Sequence, residues 1–223
     1  NFPGVPEGGP RPGNIVSLLF EQPATFERRT KLVLSASWDV GPDPFRGFFR
    51  HDVVTKIGLE RPFWRRRILV GANIAHDFYD AVNSETPNDV SDYKLPYLEQ
   101  NLIVDLRDNP MRPKIGAYFG VNVQEAFRLG GYGAWDYVRV LPEVRGYVPL
   151  FWDVVLAARF AVGGTFITGT APIRDANASA GSGLDEASAR LGPNPYRLRG
   201  GGAYSNRGFS AGELGPPNLI GGT

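Results

Sequence analysis

The sequence predicts an all-β protein, folded as an antiparallel transmembrane β-barrel. Three observations carry this. Apolar and polar residues alternate with period two in segment after segment. The connections between segments alternate as well, short and then long. No stretch reaches the roughly 18 uninterrupted apolar residues of a transmembrane helix, whereas a barrel crosses on alternating strands of about 10 residues that leave little net hydropathy. Composition sets the outer bounds. The 223 residues include 28 Gly and 19 Pro, yet also 4 Trp, 9 Tyr and 14 Phe, which is too aromatic for a disordered tract. With 24 basic and 23 acidic residues the formal charge is +1, so nothing general points to nucleic acid. Cysteine is absent, which removes disulfides and thiolate metal sites.

Two strand candidates, near 14–22 and 31–39, open the series. Residues 48–60 set Phe49, Val53, Ile57 and Leu59 against Arg50, Asp52, Lys56 and Glu60. Residues 66–79 alternate Ile68, Val70, Ala72, Ile74 and Phe78 with Gly71, Asn73 and Asp77. In 97–107, Leu98, Leu102, Val104 and Leu106 oppose Glu99, Asn101, Asp105 and Arg107. The segment 114–127 places Phe119, Val121 and Val123 opposite Tyr118, Asn122 and Gln124. In 136–148, Val138, Val140, Val144 and Val148 oppose Arg139, Glu143, Arg145 and Tyr147, and Pro142 predicts a bulge because it cannot donate to the ladder. Residues 153–166 close the series with Leu156, Phe160 and Val162 against Asp153 and Arg159. That gives about eight strands and no helix.

Short connections fall near 22–29, 60–66, 107–114 and 147–152; longer Gly/Asp/Asn-rich ones cover 40–47, 80–96, 128–135 and everything from 168 on. Short turns at one end and long loops at the other suit an outer-membrane barrel. Phe63, Trp64, Trp135, Tyr137, Phe151 and Trp152 read as interfacial girdles. A soluble β-sandwich binding module also alternates and is the alternative on pattern.

Two segments go further: DLRDNPMRPKIGAYFGVNV (105–123), and GGGAYSNRGFSAGELGP (200–216) with Arg207-Gly208-Phe209 at its centre. Together they resemble the outer-membrane protein assembly superfamily, the BamA/TamA/Sam-type bacterial surface antigen barrel. Asp105, Arg107, Asp108, Asn109, Pro110 and Gly116 match that family's turn; Arg207, Gly208 and Phe209 match the tripeptide of its long extracellular loop. The resemblance implies a sixteen-stranded barrel, of which residues 1–167 would be the fourth to eleventh strands and 168–223 the lid loop. The start at Asn1 without Met predicts a removed signal peptide or an internal piece of a longer protein. The stop at Ile220-Gly221-Gly222-Thr223, in a loop, predicts an incomplete barrel. The resemblance implies further strands and periplasmic POTRA modules elsewhere in the protein.

By the same resemblance the chain is expected in the outer membrane of a Gram-negative-type bacterium, inserting unfolded outer-membrane proteins. Its implied partners are those substrates, accessory lipoproteins, periplasmic chaperones and outer-membrane lipid. A two-partner-secretion-type exporter, or a barrel anchoring an enzyme, are the related alternatives. No catalytic residue, cofactor or metal is expected. Arg207 would fold back into the barrel and pair with acidic and aromatic groups, for which a guanidinium fork is suited. The resemblance places its acidic partners on strands outside this sequence. Gly208 would permit close approach and Phe209 would wedge the loop. Asp105, Arg107 and Asp108 read as a structural charge cluster at a turn that Asn109-Pro110 enforces. His51 and His76, each followed by Asp, lack the spacing of a metal site and read as rim residues. Gly200-Gly201-Gly202 has no helix or Lys-Ser/Thr after it and is no phosphate loop.

Overall fold

In the computed structural model, residues 13–42, 49–82, 92–130 and 132–171 are described, together with 190, 192, 193, 196 and 198. Arg207, Gly208 and Phe209 lie outside the described residues. The strands are β1 (Asn14–Gln22), β2 (Lys31–Pro42), β3 (Phe49–Phe63), β4 (Ile68–Val82), β5 (Tyr93–Asp105), β6 (Gly116–Ala126), β7 (Trp135–Pro149), β8 (Val155–Ala161) and β9 (Gly164–Thr170). They form one antiparallel meander in chain order from β1 to β8, and the sheet is not closed among the described residues.

β9 pairs with β7, not with β8, so β8 and β9 share one lane beside β7. Glu143 stands opposite Ala161 and Val140 opposite Gly164, which leaves Leu141-Pro142 facing Val162-Gly163. The register is continuous across that gap. Pro142 has no N–H to donate, so the ladder breaks there and only Val162 N to Pro142 O, 3.2 Å, bridges it. The expected eighth strand is thus real but split, and the irregularity falls on the strand facing the proline.

Period two becomes two faces. On the outside, Leu34, Ile57, Ile74 and Leu98 stand in one cross-strand row, and Phe119, Val144 and Phe160 in another. Ile74 is 64% exposed and Phe160 68%, so nothing among the described residues covers the band. Such an unpartnered apolar face fits a lipid neighbour and not a sandwich, because no second sheet packs on it among the described residues. The buried groups lie on the opposite face, where Tyr79, Tyr93, Leu95, Tyr97, Ala126, Trp135 and Tyr137 form the core.

Three expectations need correction. Trp135 and Tyr137 are each 1% exposed, inside the wall and not in a girdle. Their odd numbers put them on the same face as Arg139, and parity along a strand decides the side. Phe63, Trp64, Phe151 and Trp152, at the short turns, are exposed as a girdle requires. Asp153 is no wall residue either. It sits in the turn between β7 and β8, where Trp152 and Asp153 both take positive φ (48° and 63°) and Val154 N donates to Phe151 O at 2.9 Å. That is the handedness of a type I′ hairpin turn.

Candidate functional site

The β5–β6 turn is held by its own side chains. The Asp105 carboxylate accepts from Arg107 three times: from the backbone N at 3.1 Å, Nε at 2.8 Å and Nη2 at 2.7 Å. This bidentate pair holds the Arg107 guanidinium above its ordinary pKa. Arg107 Nη1 also donates to Pro110 O at 3.2 Å. Asp108 Oδ1 accepts from the backbone N of Lys114 (3.0 Å) and Ile115 (3.2 Å), and Asn109 Oδ1 from Met111 N at 2.9 Å. Gly116 closes the turn at φ +116°, where a Cβ would fall 2.8 Å from Arg107 Cα and closer still to Leu106 O. Every expected turn residue therefore has a geometric task.

The turn continues into the inner wall. The Tyr118 ring lies between Arg107, 5.1 Å from its centroid, and Arg145, 4.9 Å away. Glu143 in turn accepts from Arg145 Nε at 2.6 Å and Arg159 Nε at 2.5 Å. Higher up, Lys56 pairs with Glu99 at 2.7 Å, and Asn122 bridges Glu99 and Asn101. Arg50 meets Asp39 and Asp52; Lys31 meets Glu21 and Glu60. These pairs are partly hydrated and each contributes little stability. Their meaning is balance: the two signs alternate, so the wall has no one-sign field to select ions. Sequence reading found Arg50, Asp52, Lys56, Glu60, Glu143, Arg145 and Arg159 but missed Asp39 and Glu99 as partners. Strand register, which pairs Asp39 with Asp52 and Asn73 with Glu99, was the missing information.

Toward the long-loop end the wall turns aromatic. Tyr79 and Tyr93 stack at 4.9 Å, and Trp135 meets Tyr93 edge-on at 5.0 Å. Asp77 is fully buried there, with the Tyr93 hydroxyl 3.5 Å from Oδ2. Tyr196 comes from the long loop and packs on the core cluster. Nothing in the local sequence marks Asp77 as special. It was visible only as an inward residue of its strand.

His51 and His76 sit on the outer face, so each points away from the Asp that follows it. His76 Nε2 meets Tyr132 Oη at 2.6 Å, and among the described residues no cluster of three ligating side chains could hold a metal.

Comparison with known proteins fits this geometry. A family model described as the Omp85 superfamily domain matches residues 13–223. Among solved structures, the chain resembles the crystal structure of BamA from Haemophilus ducreyi lacking POTRA domains 1-3, at a TM-score of 0.64 and 18% identity. The match covers 92% of this chain and 39% of that one, so the chain spans about two fifths of its relative's length. No curated protein sequence matches the chain significantly.

Proposed function

The chain belongs to the Omp85 superfamily, and from that premise we propose that it is a stretch of barrel wall from an outer-membrane insertase. Strands β1 to β9 supply the wall as far as Thr170, and the residues after it the long extracellular loop. The observation that carries the reading is the two-faced sheet. Its outer rows are apolar and uncovered, while its inner face is filled with balanced ion pairs. The first face suits lipid and the second a wet lumen.

Insertion by such a protein is edge templating. An unpaired strand edge offers N–H and C=O groups to an incoming strand, whose own backbone would otherwise cost several kcal/mol per unsatisfied group in hydrocarbon. The step forms no covalent bond, so no catalytic residue is assigned. Substrates are unfolded outer-membrane proteins, helped by accessory lipoproteins and periplasmic chaperones. In this scheme the ordered β5–β6 turn is a rigid corner at the periplasmic rim, and Arg207-Gly208-Phe209 pins the lid loop inside the barrel.

The test is assembly of a reporter barrel by the whole protein in vesicles. With Arg207→Ala, assembly should fall about tenfold, as loss of a buried, hydrogen-bonded charge would produce. Unchanged assembly and unchanged barrel stability would remove the lid role. Secretion of a partner protein without any assembly of the reporter would favour the exporter.

A further inference from the structure

We propose that the long loop has a second attachment, a clasp at its base formed by Tyr196 and Leu198, separate from the Arg207-Gly208-Phe209 tripeptide. The proposal rests on contacts with the wall and is independent of the insertase reading.

Two features of the wall are shaped for these two residues. The first is the tyrosine cluster. Tyr196 Oη donates toward Tyr97 Oη at 3.4 Å, and the rings meet edge-on at 5.8 Å and 66°. Beyond them Asp77 is wholly buried, with the Tyr93 hydroxyl facing it. A buried carboxyl group is costly unless hydrogen-bonded, and the Tyr93 hydroxyl lies a long 3.5 Å from Asp77 Oδ2. The Tyr196 ring packs against this cluster, with its hydroxyl proton given to Tyr97 Oη.

The second feature is the notch at the broken strand. A Cβ on Gly163 would lie 2.5 Å from Leu141 Cδ2 and 3.0 Å from Leu198 Cδ1. Gly163 therefore leaves space that Leu198 fills, at the step where Pro142 interrupts the ladder. The approach is fixed as well. Gly192 has φ +78°, and a Cβ there would touch Ile167 Cδ1 at 3.6 Å. Tyr196 N then donates to Pro193 O at 3.0 Å, which ties the tyrosine to the approaching chain.

These 223 residues hold no cysteine, so a Leu141→Cys/Leu198→Cys pair, in full-length protein with any other cysteine changed to serine, reports the clasp by its rate of oxidative cross-linking in outer membranes. Fast cross-linking is expected, unchanged when Arg207→Ala is added. Tyr196→Phe should slow it about fivefold and Tyr196→Ala more than about tenfold, since the first loses one hydrogen bond and the second the ring as well. Retained cross-linking with Tyr196→Ala would overturn the clasp. So would an equal loss with Arg207→Ala, which would mean that the base merely follows the tip. If Tyr196→Ala blocks folding, judged by heat-modifiable mobility, Gly163→Val fills the notch from the wall side. It should speed protease cleavage of the loop with the barrel intact; unchanged cleavage would again overturn the clasp.

Discussion

Ile57, Ile74 and Leu98 stand side by side on the outer face of β3, β4 and β5, and one residue away along each strand Lys56, Ala75 and Tyr97 stand side by side on the inner face. The backbone ladder is common to both rows. On one side Ile74 is 64% exposed with nothing among the described residues to cover it; on the other Tyr97 is 1% exposed and Lys56 is paired with Glu99. The contrast teaches that this sheet is not a soluble one with a wet back. Its exposed face is the greasy one, and its polar face is the face that is packed.

The sharpest way to break that contrast is to move a charge across it. Ile74→Arg places a guanidinium in the middle of the apolar band and should cost about 2–4 kcal/mol, the usual penalty for Arg at the bilayer midplane of a barrel. Asn73→Lys, its chain neighbour, points inward opposite Glu99 and should change stability by less than about 1 kcal/mol. Reversible urea unfolding of the whole barrel in phospholipid vesicles measures both. Equal losses would show that the two faces do not see different solvents.

Most of this fold was legible because its outer face is apolar at alternate positions. The demand for apolar groups at alternate positions wrote Val138, Val140 and Val144 or Ile68, Val70 and Ile74 into the sequence as a plain signal. What was not legible depended on register or on distance along the chain. Trp135 and Tyr137 looked like girdle residues because they sit at a strand end, and only their parity, shared with Arg139, shows that they point inward. The split into β8 and β9 was half visible: Pro142 announced a break, but the partner strand across the ladder carries it. The turn cluster at Asp105, Arg107 and Asp108 was readable from its motif. Tyr196, which reaches Tyr97 from 99 positions along the chain, was not, since no periodicity marks a loop residue that docks.

A smaller effect sharpens the comparison at the turn, where the two faces must stay in phase. Gly116 fixes how β6 re-enters the sheet, so that Tyr118 lands inside, opposite Asp105. Gly116→Ala should cost about 1–3 kcal/mol, from a left-handed φ and a Cβ driven toward Leu106 O. Gly146, on the outer face of β7, has nothing within 4 Å of the place a methyl group would take, and Gly146→Ala should be neutral or gain a few tenths of a kcal/mol. Thermal unfolding of the two variants side by side tests this, and similar shifts would deny Gly116 its special place.

The smallest effect belongs to neither face. Lys114 Nζ and Asp153 Oδ1 meet at 2.7 Å between adjacent turns, with side chains 62% and 86% exposed. The Lys114 ammonium, through its hydrogen bond and its charge, holds the Asp153 carboxyl below the usual carboxylate range. A lowered folded-state pKa gives stability that is present above the unfolded value and is lost as pH falls through the folded one. Asp153→Asn should nevertheless leave unfolding at neutral pH within experimental scatter, because water screens the pair on every side. Lys114→Ala should raise the Asp153 titration midpoint, read from its carboxyl carbon by NMR in micelles. A large neutral-pH destabilisation by Asp153→Asn would mean that the turns are less hydrated than the wall between them. The split into a lipid face, a packed inner face and watery turns would then have to be redrawn at that end.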